Sequence, residues 1–353
     1  MKTTLRRSRV LFFVVVAMAV VLAACGSSSK GGSSGAKTKL DGSGSTFQKT
    51  FDEVVIQGFQ DANSNITVNY GGGGSGQGKT DLQKQNVQFA GSDSLPKPED
   101  LGLYQGGKVL YFPTVAAPIT VSYKLSGVSK LRLSDSTLAK IFASKIKKWD
   151  ENAIKADNPG VKLPSTAITV ARRADASGTT SNFTKFLTAA APVDWTLGSG
   201  DTVDWAADTQ AGQGNPGVAQ IVSQTEGAIG YVDLADATAA KLTTASIKNA
   251  AGKFVAPTLE GAAAAVAAST VKPDLSYNPI NASGAASYPI TSPTYILVYQ
   301  KQTNHNQGTA LKTFLQYIYE KGEGMANGAG YAPLPAEIVT KATAQLGKLQ
   351  IAA

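Results

Sequence analysis

Cysteine and histidine are almost absent: the chain has only Cys25 and His305. One cysteine allows no disulfide framework within a chain, and with one histidine it leaves no Cys/His zinc set. A Ser-His-Asp or Cys-His nucleophile system has little support. His305 sits in the polar run "KQTNHNQGT" and reads as a solvated surface residue. Charge is sparse, at 16% of residues, and the spacing of the 25 acids singles out no carboxylate pair. No apolar run reaches the about 20 residues that a spanning helix needs.

The longest apolar run, Val10–Ala24, follows Lys2, Arg6, Arg7 and Arg9, the arrangement of a secretory signal. It ends Leu22-Ala23-Ala24-Cys25, which resembles the lipobox of bacterial lipoproteins. That resemblance implies cleavage of 1–24 and a lipid on Cys25. Residues 25–39 then form a Gly/Ser-rich tether. Cleavage lowers 33 basic residues to 29 against 25 acidic ones, so the net charge falls from +8 to +4. The basic balance is therefore partly a targeting effect and gives no nucleic-acid partner. The remaining length has room for two domains. A hydrophobic content of 42% suits a folded body, and 36 glycines suggest tight turns and backbone-lined sites.

Strand and helix signals alternate along that body, which predicts an α/β fold. Residues 40–46 read as loop, with Ser45 or Thr46 as N-cap of an amphipathic helix carrying Phe47, Phe51, Val54, Val55 and Phe59. Ile66, Val68 and Tyr70 alternate as a strand, and a helix is expected from Asp81 onward. "NVQFAGSDS" reads as a short strand opening at Asp93. Pro113 and Pro118 argue against a central strand throughout Val109–Tyr123, and a crossover is plausible there. "DSTLAKIFASKIKKWDE" reads as one helix running into Trp149. Residues 167–187 read as strand, loop and helix, Glu226–Leu234 as a buried strand, and Tyr288–Gln300 as a return crossover before a long helix ending near Gly322.

Four small-residue segments stand out: Gly42–Phe47, Gly71–Gly76, Gly91–Ser94 and Arg172–Ser181. Three open into a helix, whose first N–H groups and dipole favour an anion. Arg173 adds a planar bidentate cation. Each segment alone reads as an ordinary cap, and together they make an oxyanion site. Gly73–Thr80 also fits G-x-x-x-x-G-K-[ST], the nucleotide-binding loop, with a strand before it and a helix expected after it. Export from the nucleotide supply and the ease of matching a glycine-saturated run weigh against that reading.

The segments "GSGSTF", "VNYGGGGSG", "FAGSD", "FPTV", "KIKKWDE", "NPGVKLPSTAITVARRADASGTT", "GAIGYV", "YPITSPTYILV" and "GYAPLP", in this order, resemble the phosphate-binding proteins of bacterial phosphate ABC transporters. The resemblance covers about residues 40–350. It implies a type II periplasmic-binding-protein fold with lobes 40–114 plus 291–353 and 120–288. Hinge strands would lie near Val115–Thr120 and Pro289–Thr294, leaving 115–119 and 289–290 as the linkers. It implies phosphate contacts from Thr46, the Phe47 N–H, Ser75, Asp93, Arg173, Ser177, Gly178 and Thr179, with Asp175 orienting Arg173. Taken alone, Asp93 would read as an Asx-turn. In such a site it would accept the proton that phosphate keeps and sulfate lacks. Ala176 stands where the family commonly has Gly. Lys79 either faces solvent or approaches the anion from outside its first contacts. The implied protein is a lipid-anchored receptor on the outer face of the membrane. It is a monomer and no enzyme, with no cofactor or metal, serving a membrane-embedded phosphate permease. A receptor for sulfate or molybdate and a secreted phosphatase or NTPase are the competing readings.

Overall fold

The computed structural model describes residues 37–353. The expected signal segment, Cys25 and nearly all of the expected tether lie outside the described residues. No described helix is long and apolar enough to cross a membrane.

Eight strands run through the main sheet: β1 Thr38–Gly44, β2 Ile66–Gly72, β3 Phe89–Ser92, β4 Val109–Tyr123, β5 Thr169–Arg173, β6 Gln210–Gly212, β7 Ala228–Asp233 and β8 Thr291–Tyr299. Their order is β2-β1-β3-β8-β4-β7-β5-β6, with the two-residue strand Thr243–Thr244 added beside β4. Strands β1, β2 and β3 are parallel, as are β5, β6 and β7. The two parallel sets meet through antiparallel β4 and β8. Strand β4 changes partner along its length, pairing with β8 up to Pro118 and with β7 from Ile119.

Helices cover these sets: α1 Lys49–Ala62, α2 Ser75–Gln83, α3 Asp135–Phe142, α4 Gly178–Ala190, α5 Gly214–Gln224 and α6 His305–Glu320. One half packs Phe59 of α1 edge-on against Phe314 of α6, which also meets Phe89 of β3. The other stacks Phe183 of α4 on Tyr231 of β7, with Phe142 of α3 edge-on to Phe183. Each half thus has its own aromatic core. His305 opens α6 and is exposed, with its Nδ1 2.8 Å from the Ala352 carbonyl.

Several expectations need correcting. Residues read as tether end and loop, Thr38–Gly44, form β1, because they pair on both sides with β2 and β3. Neither Ser45 nor Thr46 caps α1, which begins at Lys49 after Gln48. Helix α2 begins at Ser75, inside the glycine loop, and not at Asp81. Pro113 and Pro118 do sit in a central strand. A bulge in β8 between Pro293 and Tyr295 interrupts the ladder there, and Thr294 Oγ1 replaces it. That hydroxyl accepts from the Val115 N–H at 3.2 Å and donates to the Val115 carbonyl at 2.9 Å. The helix expected to reach Trp149 stops at Phe142, where Ser144 turns left-handed with φ 55°. Trp149 is instead fully buried, its indole N–H donating to the Gly227 carbonyl at 2.9 Å.

Candidate functional site

Five strands end at one crevice between the two parallel sets. Strand β1 delivers Ser45 and Thr46, β2 delivers Ser75, β3 delivers Asp93, β5 delivers Arg173 to Gly178, and β6 delivers Gly214 and Asn215. Carboxyl ends of parallel strands at a switch in strand order are where open α/β sheets bind ligands. The N-termini of α2, α4 and α5 open from these loops, so unpaired N–H groups and positive dipole ends gather there.

Close approach of the loops requires glycine at two places. Gly74 has φ 96°, a left-handed value that L side chains rarely adopt, and its α-carbon faces the Asp175 carboxylate. A β-carbon on Gly178 would lie 2.5 Å from Ser75 Oγ and 2.7 Å from Asp93 Cβ. The Gly76 N–H donates to the Ala176 carbonyl at 3.0 Å, joining the glycine loop to the opposite wall. The Ala176 methyl lies against Gly76, so the extra methyl on one wall meets a bare backbone on the other.

Asp93 is 2% exposed and surrounded by hydroxyls. Ser45 Oγ donates to its Oδ1 at 2.5 Å, while Ser75 Oγ and Thr179 Oγ1 stand 3.5 Å from its Oδ2. Asn182 Nδ2 donates to the Asp93 carbonyl at 2.7 Å and to Ser292 Oγ at 2.8 Å. Burial pushes the Asp93 carboxyl up to about 7, against the pull of the Ser45 hydrogen bond and the Arg173 charge.

Arg173 has a 1% exposed side chain, locked by two bonds to Asp175. Its Nε donates to Asp175 Oδ1 at 2.9 Å, its Nη2 to Oδ2, and its Nη1 to Thr179 Oγ1 at 3.3 Å. The Gly214 N–H also donates to Asp175 Oδ1, at 3.0 Å. Burial raises the Asp175 carboxyl, but the Arg173 hydrogen bonds and charge prevail and hold it below the ordinary carboxylate range. The guanidinium is thus largely neutralised, and the site's attraction for an anion falls to N–H and O–H dipoles.

The structure therefore brings Thr46, Ser75, Asp93, Arg173, Asp175, Gly178 and Thr179 into one cluster. Ser177 caps α4, its Oγ accepting from the Thr180 N–H at 3.2 Å. The Phe47 N–H lies at the same edge but donates to Ser45 Oγ at 3.0 Å, so it is already satisfied. The nucleotide-loop lysine also falls elsewhere: Lys79 Nζ is 2.6 Å from Asp201 Oδ2 and 3.0 Å from Ser94 Oγ. It is mostly withdrawn from solvent and bonds to the residue next to Asp93, without a hydrogen bond to the side chains of the cluster.

Three further residues of the crevice are not legible as such in the sequence. Ser45 reads there only as a cap. Asn215, fully buried, donates from its backbone and side chain to Thr46 Oγ1, both at 3.1 Å, and from Nδ2 to Thr179 Oγ1 at 3.2 Å. Its signal was a further small-residue run, "QAGQGNPG", opening a helix. Asp201 lies in an irregular segment with no such signal. Among the described residues, no group of three or more His, Cys, Asp or Glu is placed to hold a metal.

Residues 30–321 match the PBP superfamily domain. The phosphate-binding protein PstS of Xylella fastidiosa is 34% identical over 307 residues, covering 85% of this chain and 83% of that protein. PstS of Methanocaldococcus jannaschii is 35% identical over 322 residues, covering 84% and 82%. PstS 3 of Mycobacterium leprae is 35% identical over 313 residues, covering 86% and 85%. Among solved structures, the periplasmic phosphate-binding protein PfluDING bound with phosphate shares the fold at TM-score 0.72 and 24% identity, covering 87% of this chain and 93% of that one.

Proposed function

The chain belongs to the PstS phosphate-binding proteins of the PBP superfamily, and on that premise we propose that it is an extracytoplasmic receptor for inorganic phosphate. It captures the anion between two closing lobes and delivers it to a phosphate ABC permease. The lobes are 40–114 plus 291–353 and 120–288, and phosphate contacts come from Thr46, Ser75, Asp93, Arg173, Ser177, Gly178 and Thr179. The Phe47 N–H joins them where Ser45 releases it. A lipid on Cys25 anchors the receptor to the outer face of the membrane through the tether. The protein works as a monomer and performs no catalysis.

One observation carries this reading: a buried carboxylate, Asp93, sits within an anion-attracting cluster whose only guanidinium is neutralised. An anion entering there needs a proton for Asp93 to accept. Phosphate has one near neutral pH. Sulfate has none, so its oxygen would oppose a carboxylate with no hydrogen between them, at a cost on the order of 1–3 kcal/mol or more. The two lobes contribute contacts to one ligand, so binding favours the closed arrangement. Calorimetric titration with phosphate and with sulfate at pH 8.5, where Asp93 with its carboxyl at about 7 is ionised, tests the reading, and equal affinities would refute it. At that pH Asp93→Asn should narrow the phosphate-to-sulfate ratio by about tenfold or more, the equivalent of about 1.4 kcal/mol. An unchanged ratio would remove Asp93 from the discrimination.

A further inference from the structure

The lysine that makes Gly73–Thr80 look like a nucleotide loop has a different task. Lys79 lies in the second turn of α2, on the half carrying β1 to β3. Ser94 follows Asp93 on the same half. Asp201 lies on the other half, in the segment between α4 and β6. The three side chains close a ring: Lys79 Nζ to Asp201 Oδ2 at 2.6 Å, Ser94 Oγ to Asp201 Oδ1 at 2.7 Å, and Lys79 Nζ to Ser94 Oγ at 3.0 Å. Side-chain exposures of 16% for Lys79 and 20% for Asp201 put the ion pair mostly out of water, where salt screens it little.

Asp201 also reaches the anion cluster through its backbone. Its carbonyl accepts from the Ser177 N–H at 2.9 Å, and Ser177 is the cap of α4. The ring therefore fastens the residue after Asp93 to the loop that sets the start of α4. None of its three side chains bonds to the side chains of Asp93, Arg173 or Thr179.

We propose that Lys79, Ser94 and Asp201 form a clasp across the crevice that holds its two walls together and sets how slowly a bound anion leaves. They are positioning residues: they act through closure and leave the choice of anion to the cluster beneath. The proposal rests on the phosphate-receptor reading for the identity of the anion, while the clasp itself is a property of the two halves. Breaking a desolvated charge pair between two surfaces acts mainly on dissociation.

Stopped-flow release of phosphate, with sulfate affinity and small-angle scattering alongside, tests this in the full mature protein. Lys79→Met and Asp201→Asn should each release phosphate about 10-fold faster or more, with association little changed. The phosphate-to-sulfate ratio is read in Ser94→Ala, because the Asp201 charge raises the Asp93 carboxyl while Ser94 carries none; there release should also quicken and the ratio stay within about threefold of wild type. The radius of gyration of each ligand-free variant should exceed that of wild type. Release rates equal to wild type in both variants would overturn the clasp. Fast release together with lost discrimination in Ser94→Ala would also overturn it, since the ring would then act on the anion directly. If wild type binds no phosphate, the receptor reading fails. The clasp then stands or falls on the radius of gyration, and an unchanged radius would refute it.

Discussion

Replacing Ser45 with alanine should change how sulfate binding depends on pH. Ser45 Oγ donates to Asp93 Oδ1 at 2.5 Å, and after burial this bond is the largest influence on the Asp93 carboxyl, which stands at about 7. A hydrogen bond to a charged acceptor is worth about 1.5–3 kcal/mol, and 1.36 kcal/mol corresponds to one pH unit. Losing it lets the Asp93 midpoint rise to about 8–9. Sulfate binds only when Asp93 is protonated and can donate to it. In wild type at pH 8.5 the protonated fraction is about 3%, and in Ser45→Ala it is roughly a quarter to three quarters. The ratio of Ser45→Ala to wild-type sulfate affinity should therefore rise about 7- to 23-fold between pH 6 and pH 8.5. Sulfate is fully ionised throughout this range, so the profile reports the protein alone. Calorimetric titration with sulfate from pH 6 to 9.5 reads the midpoint directly. The variant also frees the Phe47 N–H, but an amide does not titrate, so only Asp93 can move the midpoint. Superimposable profiles would refute the reasoning, and Ser45→Thr should restore the wild-type curve.

Two further outcomes follow from the same geometry. Gly178→Ala places a methyl 2.5 Å from Ser75 Oγ and 2.7 Å from Asp93 Cβ in the closed arrangement. Overpacking of this kind costs about 1–3 kcal/mol, a roughly 5- to 150-fold loss of phosphate affinity by calorimetry. An affinity within about threefold of wild type would show that the walls do not approach this closely. Glu323 is a buried acid pushed up to about 8, with its Oε2 accepting from the Leu334 N–H at 2.8 Å and its Oε1 unpartnered. The folded state therefore holds a proton that the unfolded state has lost, so this stabilisation is complete below the ordinary glutamate range and vanishes as pH rises through 8. The melting temperature should fall between pH 6 and 9.5 and fall less in Glu323→Gln, at about 2–4 °C per kcal/mol. Parallel declines in scanning calorimetry would remove Glu323 as the cause.

Local signals carried much of the fold. The phenylalanines of α1, the alternation in β2 and the apolar run of β7 placed their elements, because one periodic face suffices to define each. Where a distant partner decides, the sequence misled. Strand β1 contains two glycines, Gly42 and Gly44, and its neighbours on both sides make it a strand. Pro113 and Pro118 flank the stretch of β4 opposite the β8 bulge, where a threonine about 180 residues away bonds Thr114 and Val115 in place of the ladder. The site divides in the same way. Ser75, Asp93, Arg173 and Thr179 lie in motifs that announce themselves locally and meet in one cluster. The roles of Asn215, Asp201 and Lys79 exist only in pairings across the crevice, 169 residues apart for Asn215 with Thr46 and 122 for Lys79 with Asp201. Nothing in the composition around them encodes those pairings.

The insertion of β8 between β3 and β4 has a consequence for the order of folding. The N-terminal strands β1 to β3 cannot close their sheet until residues 291–299 arrive, and Phe314 must follow to complete their core. Nearly the whole chain has to be available before either edge is sealed. Long-range pairing of this kind is slow, since loop-closure entropy is lost before the contacts form. A sheet that waits for its last strand keeps the chain open until then, the state that the export proposed above would require.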